Sequence, residues 1–199
     1  MKSTFGPSFS QHGSSLIEVL VTLVILMLGL LGLVGLMVQS QRSQMESYQR
    51  MQALVVLQDM VNRINTNRKA ADCYALPDPI GTGYFVPSVG TRAVTSTCPV
   101  VSTEEQGWAD RTDQDIREWN SLLLGSAEKS GTRDVGAMLG ARGCITLVSA
   151  GVYQVSVVWQ GGGQTIAPPS GVTCGADLYG DEALRRAVSV PLQIANLNS

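Results

Sequence analysis

Histidine is almost missing from this chain. One residue of 199 is a histidine, His12, and it lies close to the first residue. The body beyond it holds no His-dependent triad, no histidine zinc site and no histidine general base. Charge is scarce as well: 15% of residues are charged and the formal net charge is -2. No basic surplus points to nucleic acid, and no acidic block points to a disordered tail. The four cysteines, Cys73, Cys98, Cys144 and Cys174, include no Cys-x-x-Cys pair, which removes zinc-ribbon and thioredoxin-type readings. Neither Lys-Ser/Thr nor a helix signal follows Gly161-Gly162-Gly163, so that run is a turn and not a phosphate loop. Nothing in these residues implies a metal or another cofactor.

What the chain has in abundance is one apolar run. "GSSLIEVLVTLVILMLGLLGLVGLMV" covers Gly13–Val38. Its part from Val19 to Val38 reaches the roughly 20 residues that span a hydrocarbon core as a helix. The remaining residues, about 160, are enough for one modest core. A cleaved secretory signal would need a shorter apolar stretch and an Ala-x-Ala-like site, whereas Gln39-Ser40-Gln41-Arg42 follows here. A plain anchor explains the length but not Glu18. A carboxylate at the centre of a membrane helix costs roughly 2.5–3.5 kcal/mol on insertion scales, and less near its end. Cleavage between Gly13 and Ser14 gives Glu18 a purpose. It creates an amine on Ser14, one helical turn before Glu18. Glu18 of one subunit can then meet that amine on a neighbour, and a buried charge is tolerated when paired and heavily penalised alone.

Gly13-Ser14-Ser15-Leu16-Ile17-Glu18-Val19 resembles the type IV prepilin cleavage motif. The resemblance implies that a membrane aspartyl peptidase, the prepilin peptidase, cuts after Gly13 on the cytoplasmic side. The same enzyme usually N-methylates the new first residue, here Ser14, where phenylalanine or methionine is commoner. Gly29, Gly32 and Gly35 punctuate the apolar helix, and their three-residue spacing is expected to keep them on one thin face. Small residues of this kind let helices approach closely. In major pilins a helix-breaking proline stands where this chain has Gly35, and glycine there costs a helix about 1 kcal/mol against alanine, so local melting on assembly is expected.

Downstream, Gln39 to about Asn65 lacks proline and glycine and reads as a continuation of the helix. Leu54, Leu57, Val61 and Ile64 form its expected packing stripe. Pro77, Pro79, Gly81 and Gly83 mark a loop. Asp110 to Leu124 reads as a second short helix, with Asp110, Asp113 and Asp115 at its positive end and Gly125 as its stop. Those aspartates lack the EF-hand glycine and terminal glutamate. Cys144–Val148, Val152–Gln160 and Ala187–Ile194 read as strands, the last at an edge because of Pro191. Successive strands with turns between them favour an antiparallel sheet. An even cysteine count on one side of a span suggests disulfides in an oxidising compartment. Three pairings are open. The sequence-local pair, Cys73–Cys98 with Cys144–Cys174, is favoured, each bond contributing about 3–4 kcal/mol in the loop-entropy treatment.

The expected fold class is α+β and pilin-like: a long N-terminal helix packed on a small antiparallel head with disulfides. Residues 1–13 are the expected leader, which carries away Lys2 and His12. Residues 14–38 are the transmembrane and assembly helix. Residues 39–199 are the periplasmic head, including the second half of the long helix. Segments Asn62-Arg63-Ile64, Glu118-Trp119-Asn120, Cys144-Ile145-Thr146, Val152–Trp159 and Leu178–Arg186 resemble the PilV-like minor pilins. That resemblance implies a subunit held in the inner membrane and then inserted into an extracellular type IV pilus. Its partners would be other minor pilins, the major pilin and a tip adhesin, in a complex that primes assembly and serves adhesion and twitching motility. A pseudopilin of type II secretion is the nearest alternative. A tethered periplasmic enzyme is disfavoured by the lack of histidine, and a tethered binding module has no residue pattern that specifies a ligand.

Overall fold

The structure is a computed structural model and describes residues 15–84, 86, 98, 102–136 and 138–195. The chain divides into two compact units, Met1–Gln44 and Met45–Ser199. One helix, α1, runs without a break from Leu16 to Thr66 and belongs to both.

Within the second unit, α1 leads through a 3-10 segment, Arg68–Tyr74, into β1, Ile80–Gly81. Helix α2, Thr103–Leu123, follows, then a two-residue hairpin of β2, Lys129–Ser130, and β3, Arg133–Asp134. The main sheet is completed by β4, Arg142–Ser149, β5, Val152–Gln160, and β6, Arg185–Gln193. Its order is β1-β4-β5-β6, and every neighbouring pair is antiparallel. This is the α+β plan expected from the sequence, with a long N-terminal helix, an antiparallel sheet and two disulfides.

Strand β5 matches its expected bounds because Val152–Gln160 concentrates β-branched and aromatic residues. It lies between β4 and β6, and both its faces are covered. Tyr153, Val155, Val157 and Trp159 join the main core, while Val158 joins a smaller cluster with Cys144, Cys174 and Tyr179. Strand β6 has no outer neighbour among the described residues, as Pro191 required. Ile194 donates to Gly151 and Gly161 donates to Leu184. Stepping inward by twos from those bonds leaves Pro191, opposite Gln154, at a non-hydrogen-bonded position. The missing N–H therefore takes no bond from the β5–β6 ladder.

Two expectations need correction. The packing stripe of α1 is Ala53, Val56, Leu57, Met60 and Ile64, all buried. Leu54 is 40% exposed and Val61 only partly buried. At about 100° per residue, Leu54 and Val61 lie to one side of the line through Ala53, Leu57 and Ile64. The small residue Ala53 and the flexible Met60 let the helix sit closer than a leucine stripe would. The second correction is the start of α2. Asp110, Asp113 and Asp115 do not open it; Thr103 does, with Ser102 as N-cap accepting from the Glu105 N–H and Glu104 and Glu105 in the first turn. Ser102-Thr103-Glu104-Glu105 is a capping-box pattern, and it overrides Gly107, which sits inside the helix. The other end is as expected. Gly125, at φ +93, donates to Leu122, and Ser126 donates to Ser121, a Schellman closure.

Trp119 of α2 is fully buried, and its indole N–H donates 2.8 Å to the Val56 carbonyl of α1. Its ring lies directly on β4 at Gly143. A Cβ on Gly143 would fall 2.4 Å from Trp119 Cη2 and 2.8 Å from Leu123 Cδ1. Glycine is there so that helix and strand can approach. Gly143→Ala is expected to lower head stability by about 1–3 kcal/mol, the usual cost of overpacking a filled core. Thermal unfolding measures this, and an unchanged midpoint would mean that the Trp119 contact is slack.

Cys73 is bonded to Cys98, and Cys144 to Cys174. The first ties the 3-10 segment after α1 to the chain just before α2. The second ties β4 to the connection that leads from β5 towards β6.

Candidate functional site

In the first unit, Ser15 caps α1. Its carbonyl accepts from Glu18 N–H at 2.9 Å and from Val19 N–H at 3.3 Å. Glu18 therefore stands in the first helical turn, exposed, where the unpaired N–H groups and the helix dipole favour a negative charge. No ionisable residue follows until Arg42. Thr22 is polar but turns its hydroxyl back onto the Val19 carbonyl at 2.8 Å, which satisfies the donor within the helix.

Every residue from Val19 to Val38 is exposed. A helix that is apolar all round is a buried element or a membrane span, and this one is long and apolar enough to cross a membrane. It is unbroken at Gly29, Gly32 and Gly35, and a Cβ at any of the three would meet nothing within 4 Å. The single chain is helical through Gly35, and the melting expected there belongs to the assembled state. Helical geometry groups some of these residues. At about 100° per residue, Glu18, Thr22, Gly29 and Gly32 fall within roughly 40° of one line; Gly35, expected on the same face as the other two glycines, departs from it because each three-residue step falls about 60° short of a full turn. The acid, the hydroxyl and two glycines thus share one face, and small and polar residues are what apolar helices turn towards each other in lipid. Gly13 and Ser14, the expected processing junction, lie outside the described residues.

The head carries a different constellation that pattern reading missed. Asp115 of α2 is 1% exposed. One oxygen accepts from Arg63 Nη1 at 2.9 Å and from Arg111 Nε at 3.1 Å; the other accepts from the Tyr74 hydroxyl at 2.5 Å. Arg63 also reaches Asp59, at 2.7 Å, and Glu118. Asn67 donates to the Trp108 carbonyl, Thr112 and Tyr74. The group binds the last turns of α1, the 3-10 segment and α2 into one polar clasp. Burial acts to lower the Arg63 pKa, but its bonds to Asp59, Glu118 and Asp115 outweigh that and hold it above the ordinary arginine value. Burial, and then the bond to Asp115, push the Tyr74 hydroxyl well up. The Arg63 bond, helped by Gln114, lowers Glu118. Asn120 accepts from the Gly81 N–H at 2.9 Å, tying α2 to β1. Asn62-Arg63-Ile64 and Glu118-Trp119-Asn120 therefore contribute through Arg63, Ile64, Glu118, Trp119 and Asn120 to the structure of the head. No group of acids, histidines and cysteines among the described residues is arranged to hold a metal ion.

Residues 8–34 match the family model described as the prokaryotic N-terminal methylation motif. No curated protein and no solved structure matches the chain. The motif is found in type IV pilins and pseudopilins, so it marks a pilin-like precursor. It implies processing by prepilin peptidase and assembly with other pilins, and together with the apolar helix it is consistent with inner-membrane anchoring.

Proposed function

We propose that this chain is a minor pilin of the PilV-like kind. Prepilin peptidase cuts it between Gly13 and Ser14 and methylates the new amine. A single span then holds it in the inner membrane with its head in the periplasm. From there it enters a type IV pilus, where it primes assembly within a minor-pilin complex at the tip and contacts the major pilin and a tip adhesin.

The observation that carries this reading is the register of three features. A glycine precedes the junction, a lone carboxylate follows it by one turn of mature helix, and an exposed helix with no other charge continues to Val38. The methylation motif covers the glycine, the carboxylate and the helix as far as Val34. In an apolar bundle Glu18 has one fitting partner, the amine of a neighbouring Ser14, and the face shared with Thr22, Gly29 and Gly32 brings helices close enough for the two to meet. The resemblance of the head segments to PilV-like subunits favours a pilus over a type II secretion pseudopilin, which shares the motif. The role is structural: the processed amine, Glu18 and the helix surface act in assembly.

N-terminal sequencing and intact mass of the protein from membranes of its own host test the reading. The expected chain begins at Ser14 and carries one additional methyl group. A chain beginning at Met1 would make it an unprocessed anchored protein. Cleavage beyond about Ser40, at the end of the span, would release the head and end the filament reading.

A further inference from the structure

The head matches several of its half-buried or buried arginines with carboxylates: Arg63 with Asp59, Asp115 and Glu118, Arg185 with Glu182, and Arg186 with Glu46. Arg142, at the start of β4 and also half-buried, has no carboxylate partner among the described residues. Its Nη1 donates to the Gly140 carbonyl at 3.1 Å, and its Nε is buried without an acceptor. What holds the guanidinium is aromatic. Its carbon lies 4.9 Å from the Tyr179 ring centre and 6.0 Å from that of Tyr84, distances at which a cation is attracted to a ring.

Both rings are placed by backbone bonds. Tyr179 is buried and its hydroxyl donates 2.8 Å to Gly140. Tyr84 N–H donates to Gly81, and Thr82 N–H to Ala141. The terminal nitrogens of Arg142 are flanked by two glycines in the left-handed region, Gly83 at φ +83 and Gly140 at φ +62. A Cβ would lie 3.9 Å from Nη2 at Gly83 and 3.7 Å from Nη1 at Gly140. Neither position contributes a side chain over the cation. The result is a half-buried guanidinium held in place, with no carboxylate partner among the described residues and no side chain from Gly83 or Gly140 beside its terminal nitrogens.

We infer that Arg142, set by Tyr84 and Tyr179, without a carboxylate partner among the described residues and flanked by Gly83 and Gly140, is a docking point for one carboxylate on a partner protein, an aspartate or glutamate side chain received at Nη2. The planar fork suits a carboxylate. The charge count also selects the ligand class. Arg185, whose charge also acts on Tyr179, already spends it on Glu182, so Arg142 supplies the one unpaired positive charge at this group among the described residues. That matches a monovalent carboxylate better than a dianionic phosphate. Because the side chain is already ordered, binding loses little rotamer entropy.

Glycine-selective 15N labelling of the full chain in detergent provides a readout at Gly83 and Gly140. The probes are acetate, the blocked peptide acetyl-Gly-Glu-Gly-amide, its glutamine counterpart and inorganic phosphate, each at constant ionic strength set with chloride. Acetate and the glutamate peptide are expected to shift both glycines saturably, with half-saturation on the order of tens of millimolar, the strength of one charge-assisted pair. The glutamine peptide should not do so. Arg142→Gln should abolish the shifts, and Arg142→Lys, which retains the charge and the aliphatic stem, should weaken them at least several-fold. The Lys variant alone decides the matter if the Gln variant does not fold. Shifts that never saturate, that persist in Arg142→Lys, or that phosphate alone produces would overturn the inference. Saturation by acetate without the peptide would also overturn it, because the site would then admit only small free carboxylates.

Discussion

Glu18→Val is expected to remain in the inner membrane at the native level and to drop out of sheared filaments by about 10²–10³-fold. The two halves of this result rest on opposite energetic terms. In a single chain Glu18 is an exposed carboxylate in the first turn of an apolar helix. Replacing it with valine removes an insertion cost, so membrane retention should not fall. If the proposed pairing holds in the assembled state, the substitution leaves the neighbour's Ser14 amine without its anion. Breaking one side of a buried ion pair costs about 3–5 kcal/mol, and roughly 1.4 kcal/mol is a factor of ten. Glu18→Gln separates charge from hydrogen bonding. It keeps an acceptor at the same reach but loses the charge, so its incorporation should lie between the native and valine levels. Immunoblots of sheared and membrane fractions, normalised to each other, give the ratio. Native incorporation of Glu18→Val would remove the pairing argument and leave the carboxylate unexplained.

That prediction concerns the part of the molecule most legible in the sequence. A span needs only length and apolarity to be visible, and the register of Gly13, Glu18 and Val19–Val38 is a linear pattern that survives without knowledge of the fold. The face shared by Glu18, Thr22, Gly29 and Gly32 needed only the helical period. Strand β5 was legible to its ends because its pattern agrees with its propensity. Legibility failed where tertiary contacts choose between similar local options. Leu54 and Val61 are better hydrophobes than Ala53, yet the sheet takes Ala53 because closeness outweighs apolar area there. The acid-rich stretch Asp110–Asp115 drew attention away from Ser102-Thr103-Glu104-Glu105, which carries the actual helix start. The Asp115 clasp was invisible because Arg63 and Tyr74 stand 52 and 41 residues from Asp115, and Arg111 alone, four residues away on α2, is its sequence neighbour. Gly143 gave no turn signal, since it is there to admit the Trp119 ring. The paired strands β1, β2 and β3 have two residues each, too few for an alternation to register.

Asp115→Ala is expected to lower head stability by about 3 kcal/mol, the lower end of the cost of breaking a buried charge cluster. Asp115 is 1% exposed and accepts from two guanidinium groups and a phenol. Its removal takes from the Tyr74 hydroxyl, itself inside the core, the carboxylate that accepts its proton. Arg63 loses less because Asp59 and Glu118 still hold it, and this keeps the cost from reaching the upper end. Glu118→Gln supplies the contrast on the same arginine. Glu118 is 44% exposed, so solvent screens the bond and its loss should cost under about 1 kcal/mol. Asp115→Asn should fall between the two, because one amide oxygen can still accept from Tyr74 or Arg63 but the charge is gone. Urea unfolding of the full chain in detergent, with both disulfides intact and tryptophan emission as the signal, orders the three. If Asp115→Ala costs no more than Glu118→Gln, burial does not set the strength of this clasp, and the packing of Trp119 with the Trp119 and Asn67 hydrogen bonds holds α2 to α1.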